Sequence, residues 1–372
     1  MSVGQVISWG VLFYALIVAS PAIAADTGWP IALITLAFSA GLIVSAGAGL
    51  LVGRWIDERG PRLIMTLGSL IGPGGVAVVA LSPNLAAFTA GWIVAGVAQS
   101  AVLYQAAFTV IARRYGERRR GAMTILTLAG GLASTVFAPF TAGLLSVTNW
   151  RSTFLILAGL LLVTTAPLHW FSLERTWEPL AHDDEQHTVS TVIRTRQFWM
   201  LEVSTLALVT ALFSATLALI PLFIEKGMTY ELAAWGLGLL GAGQVVGRLL
   251  YAAIPRTSAP WVSLTATAAL SVLSLALLAF VPGPPWLLIA VGIMVGAVRG
   301  AQTLVQGSSV ADRWGTRNYG AINGIFAAPV TVMSALAPAL GPLLSVVTGS
   351  YSSMALAAAI LAAAAMAFAR FS

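Results

Sequence analysis

Two arginines stand in this sequence where arginine is hardest to accommodate. Arg248 lies in "GAGQVVGRLLYAAIPR" and Arg299 in "WLLIAVGIMVGAVRGAQTLVQGSSVADRWG", both within long apolar runs. A guanidinium stays protonated and offers a planar fork of donors matched to a carboxylate or a phosphate. Placing one at the centre of a bilayer costs roughly 2.5–3.5 kcal/mol on insertion scales, so such residues usually face a cavity and pair with something. Arg248 has a second option: it can snorkel its head toward the interface near Arg256, eight residues on or ~12 Å by helical rise. Arg299 is too deep to do so easily, although a purely structural, hydrogen-bonded arginine is the competing reading. Its helix continues with Gln302, Thr303 and Gln306, a polar stripe at i, i+3, i+4 and i+7 that faces water or ligand rather than lipid.

A counter-ion for these cations is hard to find. Asp26, Glu225 and Glu231 fall at one set of ends of the apolar runs. Asp57, Glu58, Glu117, Glu174, Glu178, Asp183, Asp184, Glu185 and Asp312 fall at the other. Glu202 alone enters a run, about one and a half turns in, and is the candidate proton site. The missing partner is therefore expected to be a small anionic substrate. Tyr14 and Tyr104 are further candidates for substrate binding through their phenolic hydroxyls, with packed or interfacial aromatics an equal alternative. Gln105, Gln244 and Asn323 are polar in apolar runs and serve equally well as interhelical glue.

The elements that must carry these residues follow from composition. The chain has 372 residues, 58% of them hydrophobic and only 9% charged, against about a quarter charged in ordinary soluble proteins. Its mean hydropathy is +0.90. Runs of roughly 20 apolar residues recur from end to end, each able to cross a ~30 Å hydrocarbon layer as a helix. Twelve spans are expected, near 7–25, 30–54, 62–82, 84–110, 121–147, 150–171, 197–224, 230–254, 258–281, 284–311, 319–347 and 350–370. "SPAIAAD" offers a cleavage-like site after the first run, but no Lys or Arg precedes Arg54, so a secretory signal is not expected.

The net charge of +6 invites a nucleic-acid reading, and its placement argues against one. With both termini inside, nearly every loop arginine, from Arg54 through Arg113, Arg114, Arg118 and Arg175 to Arg317 and Arg370, falls on the cytoplasmic side. Only Arg151 and Lys226 fall outside. That asymmetry is the positive-inside rule. It predicts a multi-pass protein of the inner (plasma) membrane, with membrane lipids as neighbours and no nucleic acid as partner. Without cysteine there is no disulfide or thiolate metal site. His169, His182 and His187 read as solvated residues at or beyond the end of span six, so no metal and no cofactor is expected.

The sequence also repeats itself. "ARRYGERRRGA" (Ala112 to Ala122) matches "ADRWGTRNYGA" (Ala311 to Ala321) at an offset of 199. The same offset pairs Gly28 with Gly227, Pro61 with Pro260, Pro139 with Pro338 and "LLSV" at 144–147 with "LLSV" at 343–346. Residues 172–196 form the only long polar segment. The expected organisation is an N-terminal six-helix bundle over 1–171, a cytoplasmic linker over 172–196 and a C-terminal six-helix bundle over 197–372. Repeats of this kind place a substrate site at the bundle interface, near the midplane.

These features resemble the major facilitator superfamily over the full length, which implies an all-α membrane fold of twelve helices in two pseudo-symmetric bundles. "GRWIDERGPR" resembles the superfamily's loop 2–3 signature through Gly53, Asp57, Gly60 and Arg62, and "RRYGERRRGA" is typical of the segment before span five. The opening spans look most like the bacterial monocarboxylate and oxalate:formate branch, in which a span-eight arginine in a similar "GR" context contacts the substrate carboxylate. Gly53 suits close backbone approach. Asp57 suits the positive N-terminus of another helix, by resemblance span eleven. Arg59 and Arg62 would complete a breakable charge network, a conformational latch. The second half has Ala252 for Gly53 and Arg256 for Asp57, and so lacks the motif. Other departures matter too: Gln244 stands where animal proton-coupled carriers have an Asp, and span eleven has no cation.

The leading expectation is a monomeric secondary transporter of small organic anions, monocarboxylates foremost, working by alternating access as a proton symporter or anion exchanger. The alternative is a proton-coupled exporter of drugs or of neutral or anionic metabolites, for which "APFTAG" is a faint motif echo. A membrane enzyme finds no support, since no H-E-x-x-H, nucleophile elbow or phosphate-binding loop is present.

Overall fold

The computed structural model describes residues 1–177, 188–253 and 259–372. His182, His187, Arg256 and the acidic residues Glu178, Asp183, Asp184 and Glu185 lie outside the described residues. The first half gives α1 (Ser2–Thr27), α2 (Ile31–Arg59), α3 (Pro61–Leu81), α4 (Leu85–Val102 continued by Tyr104–Tyr115), α5 (Arg119–Gly131 continued by Ala133–Val147) and α6 (Trp150–Ser172). The second gives α7 (Arg196–Leu217 continued by Leu219–Glu225), α8 (Tyr230–Ala253), α9 (Pro260–Phe280), α10 (Pro285–Trp314), α11 (Tyr319–Thr348) and α12 (Tyr351–Ala369). Eleven continuous stretches among the described residues are long and apolar enough to span a membrane. The longest, Leu85–Val147, holds both α4 and α5, so the membrane-length helices among the described residues number twelve.

The repeat marks the same structural joints in both halves. Pro61 and Pro260 each occupy the first turn of a helix, where a missing N–H costs nothing. Gly28 and Gly227 both have positive φ, of 72° and 86°, the left-handed backbone that ends a helix and that glycine adopts without strain. Asp26 and Glu225, also one offset apart, tie the first helix of each half to its sixth. Asp26 accepts from the Trp150 indole at 2.8 Å and from Arg151 at 2.6 Å. Glu225 accepts from the backbone N–H groups of Tyr351 and Ser352 at the start of α12, an N-terminal cap by a carboxylate.

The chain forms two compact units. One is Met1–Glu185 with Gly315–Val332, and the other is Gln186–Trp314 with Met333–Ser372. Thus the first part of α11 clusters with the N-terminal helices.

In the first unit, α1 and α4 each carry a break. A π-helical turn spans Gly10–Tyr14, and α4 is interrupted at Leu103, whose backbone is extended. Such breaks free carbonyls, which must find donors in an apolar interior. Gln99 of α4 donates to the Leu12 carbonyl at 2.7 Å, and Gln5 of α1 donates to the Val102 carbonyl at 2.6 Å. Each helix therefore repairs the other.

His169 departs from expectation. α6 runs on to Ser172, so the imidazole belongs to its last turn and is only 2% exposed, 2.6 Å from the Ser69 hydroxyl of α3. Trp92 is likewise fully buried, against Phe38 and Phe154.

Candidate functional site

In the second unit, α8 and α10 are fixed against each other by glycines. A Cβ on Gly243 or Gly247 would fall on the backbone of Ile293 or Ala297, and one on Gly296 or Gly300 on the backbone of Leu240 or Gln244. These are two small-xxx-small pairs facing one another, the pattern that lets helix backbones touch in lipid. The contacts of Gly247 with Ala297 and of Gly300 with Gln244 flank Arg299 on α10 and end one residue before Arg248 on α8. Arg248 and Arg299 therefore leave their helices within about one turn of the same level. Tyr251 and Ser308, hydrogen-bonded at 2.9 Å, close the seam on one side.

The two guanidiniums are held very differently. Arg248 is 6% exposed, and among the described residues its one hydrogen bond is Nη2 to Gln244 Oε1 at a long 3.4 Å and its Nε has no partner. No carboxylate among the described residues lies within ion-pair distance of it. Snorkelling to solvent is excluded by its burial. Arg299 is half-buried. Its Nη1 donates to the Thr216 hydroxyl of α7 at 2.9 Å, and its guanidinium lies over the Phe213 ring, 4.1 Å from the centroid. Gln302, one turn beyond Arg299, is 3% exposed, and neither amide atom has a partner. Gln306, a further turn on, is half-buried. Arg248, Arg299, Gln302 and Gln306 thus share one helix pair, with α7 completing the wall at Phe213 and Thr216.

Glu202 belongs elsewhere in the same unit. It lies eleven residues from Phe213 on α7, roughly 16 Å along the axis. That is near the end where Phe198 meets Trp314. The residue is 4% exposed, and neither carboxylate oxygen has a hydrogen-bond partner among the described residues.

Tyr14 and Tyr104 lie in the first unit, linked through Trp9, which is 6.5 Å from the first ring and 4.9 Å from the second. Tyr104 stacks on Phe108 and reaches the Thr127 carbonyl at 3.4 Å. Their surroundings are those of packed aromatics. In this unit the repeat partner of Arg248 is Gly49, and the Gln105 carboxamide packs against it, filling the space a side chain would take.

The loop signature also lies in the first unit. α2 continues to Arg59, so Gly60 (φ 82°) alone joins it to α3. Gly53 meets the Gly320 carbonyl, and Gly49 lies against Gly324, four residues further on. With the backbones this close, Asp57 reaches the start of α11, where Oδ2 accepts from Ala321 N at 2.7 Å. The arginine facing Asp57 is Arg113 of α4, 3.6 Å from Oδ1 and bonded to the Asp57 carbonyl at 2.8 Å. Arg59 and Arg62, expected in that network, stack instead over Trp55 and Trp170 at 4.6 and 4.1 Å. The reason is geometric. Arg59 is exposed at the very end of α2, and Arg62 already belongs to α3, half-buried beyond the Gly60 break, so each packs on an indole rather than on the Asp57 carboxylate. Trp177 covers Arg113 from the far side and packs on Gly60. Beside it Glu174 pairs with Arg114. A cavity of about 360 Å³ nearby, lined by Pro61, Val110, Arg114, Tyr115, Leu126 and Glu174 among others, includes none of the arginine site.

Comparison with known proteins places this architecture. The E. coli fucose:proton symporter FucP is 17% identical and superposes with a TM-score of 0.75, covering 100% of this chain and 97% of that one. The human organic anion transporter MFSD10 is 16% identical with a TM-score of 0.73, covering 99% and 97%. A bacterial homologue of the iron transporter ferroportin is 14% identical with a TM-score of 0.75, covering 99% and 98%. In sequence, an uncharacterized 38 kDa protein in the 23S RNA operon of Thermoproteus tenax is 32% identical over 131 residues, 35% of this chain and 34% of its own length. The family model of the Major Facilitator Superfamily matches residues 1–284. The chain therefore belongs to the Major Facilitator Superfamily, and it is a multi-pass membrane transporter, not an enzyme.

Proposed function

We propose that this transporter carries small organic anions, monocarboxylates foremost, by alternating access across the plasma membrane with both termini cytoplasmic. The fold does not choose the cargo: proteins of the same shape are described as a fucose:proton symporter, an organic anion transporter, and a homologue of an iron transporter. The chemistry of the site supports the choice. The observation that carries it is Arg248, a buried guanidinium whose hydrogen bonds among the described residues amount to one, at 3.4 Å. An uncompensated buried cation is unstable, and a bound carboxylate supplies the charge and the planar pair of acceptors it lacks. Arg299 adds a second positive charge at the same level, and Gln302 adds amide donors without partners.

Proton symport and anion exchange both keep such a cycle near electroneutral. In the symport version Glu202, buried with two unpartnered oxygens, carries the proton. Asp57, with Gly53 and the start of α11, is read as the latch, with Arg113 as its cation.

Uptake of labelled pyruvate, lactate and oxalate into proteoliposomes, with and without a pH gradient, tests this reading. Saturable carboxylate uptake that collapses in Arg248→Gln is expected. Uptake of hydrophobic drugs or neutral metabolites with no carboxylate uptake would overturn it in favour of an exporter.

A further inference from the structure

We infer that Phe213 and Thr216 of α7 are positioning residues that set the Arg299 guanidinium for the anion, an inference that rests on the carboxylate reading above. The two lie at i and i+3, on one face of the helix. The Thr216 hydroxyl donates its proton to the Phe213 carbonyl at 3.2 Å, which turns a lone pair toward Arg299 Nη1, 2.9 Å away. The hydroxyl thus fixes a direction within the guanidinium plane. The Phe213 ring, centred 4.1 Å from Cζ, fixes the plane itself. Together they remove the rotational freedom that a long arginine side chain otherwise loses on binding a ligand, so the binding step no longer carries that cost. The sequence patterns of α7 give no sign of this, because threonine and phenylalanine in an apolar run look like filler.

Arg248 has no such holder on its own helix pair beyond Gln244. The site therefore contains one pre-oriented cation and one that is ordered by the substrate itself.

Pyruvate uptake into proteoliposomes at a series of concentrations, with correctly folded protein verified by size-exclusion elution, tests the assignment. Thr216→Val should raise the half-saturating concentration about tenfold, with little change in maximal rate. Thr216→Ser, which keeps the hydroxyl, should restore the wild-type value. Phe213→Leu should raise the half-saturating concentration roughly threefold or more. In an Arg299→Gln background, Thr216→Val should add nothing further, since it acts through that arginine. If Arg299→Gln weakens uptake while Thr216→Val and Phe213→Leu match wild type, the positioning role is wrong and the carboxylate reading stands. A Thr216→Val effect of full size in the Arg299→Gln background would also overturn it, as would wild-type kinetics in Arg299→Gln. Absence of pyruvate, lactate and oxalate uptake by the wild type would remove the carboxylate reading and this inference with it.

Discussion

Asp57 and Arg248 are both charged, both nearly without exposure, and each is set beside a seam of close-packed glycines. Asp57 has a cap and a countercharge in the protein: Oδ2 accepts from the Ala321 N–H at 2.7 Å, and Oδ1, with no hydrogen bond of its own among the described residues, lies 3.6 Å from the Arg113 guanidinium, over which Trp177 packs. Arg248 has no carboxylate within ion-pair distance and one hydrogen bond among the described residues, to an amide oxygen at 3.4 Å. The difference teaches how to tell a buried charge that holds a fold from one that waits for a ligand. A charge whose partners are all in the protein contributes to structure, or to a structural switch. A charge whose hydrogen-bonding capacity the protein leaves unmet is costly unless something else arrives to meet it.

This contrast can be broken by experiment. The largest effect should come from Arg248→Gln combined with Arg299→Gln. Loss of both cations should reduce carboxylate uptake about a hundredfold or more, with thermal stability in detergent equal to or above wild type, because an uncompensated charge has been removed. A fall in stability, rather than in uptake, would place Arg248 with Asp57 as a structural residue. Next comes Asp57→Ala, which removes the acceptor at the start of α11 and should destabilise the protein by about 2 kcal/mol. Asp57→Asn, which keeps one carbonyl oxygen, should lose less. Melting followed by intrinsic fluorescence reads both, and equal melting of Asp57→Ala and wild type would contradict the structural role. The smallest effects belong to Arg59→Gln and Arg62→Gln. Their guanidiniums stack on Trp55 and Trp170 rather than pairing with a carboxylate, so each should shift stability by no more than about 1 kcal/mol. A loss as large as that of Asp57→Ala would return them to the charge network that the loop signature suggests.

How much of this was legible beforehand depends on how local the physics is. Helix joints were legible, because Pro61 and Pro260, or Gly28 and Gly227, act through their own backbone and recur at one offset. The arginine positions were legible, because a charge in an apolar run is anomalous wherever the run folds. The partners were not. Arg113 meets Asp57 across 56 residues of sequence, and Thr216 meets Arg299 across 83. No periodicity encodes such a pairing. His169 was misread for a related reason: a histidine near the end of a span looks solvated until α6 is seen to run past it and Ser69 of α3 to face it. The mutual repair of α1 and α4 by Gln5 and Gln99 was equally hidden, since it exists only because two helices break at matching depths.

The claim on which the account turns is that Arg248 is incomplete without an anion. Titration calorimetry of purified protein with pyruvate tests it most directly. Saturable binding to the wild type is expected, lost or weakened at least about thirtyfold in folded Arg248→Gln. Equal affinity in the two proteins would contradict it.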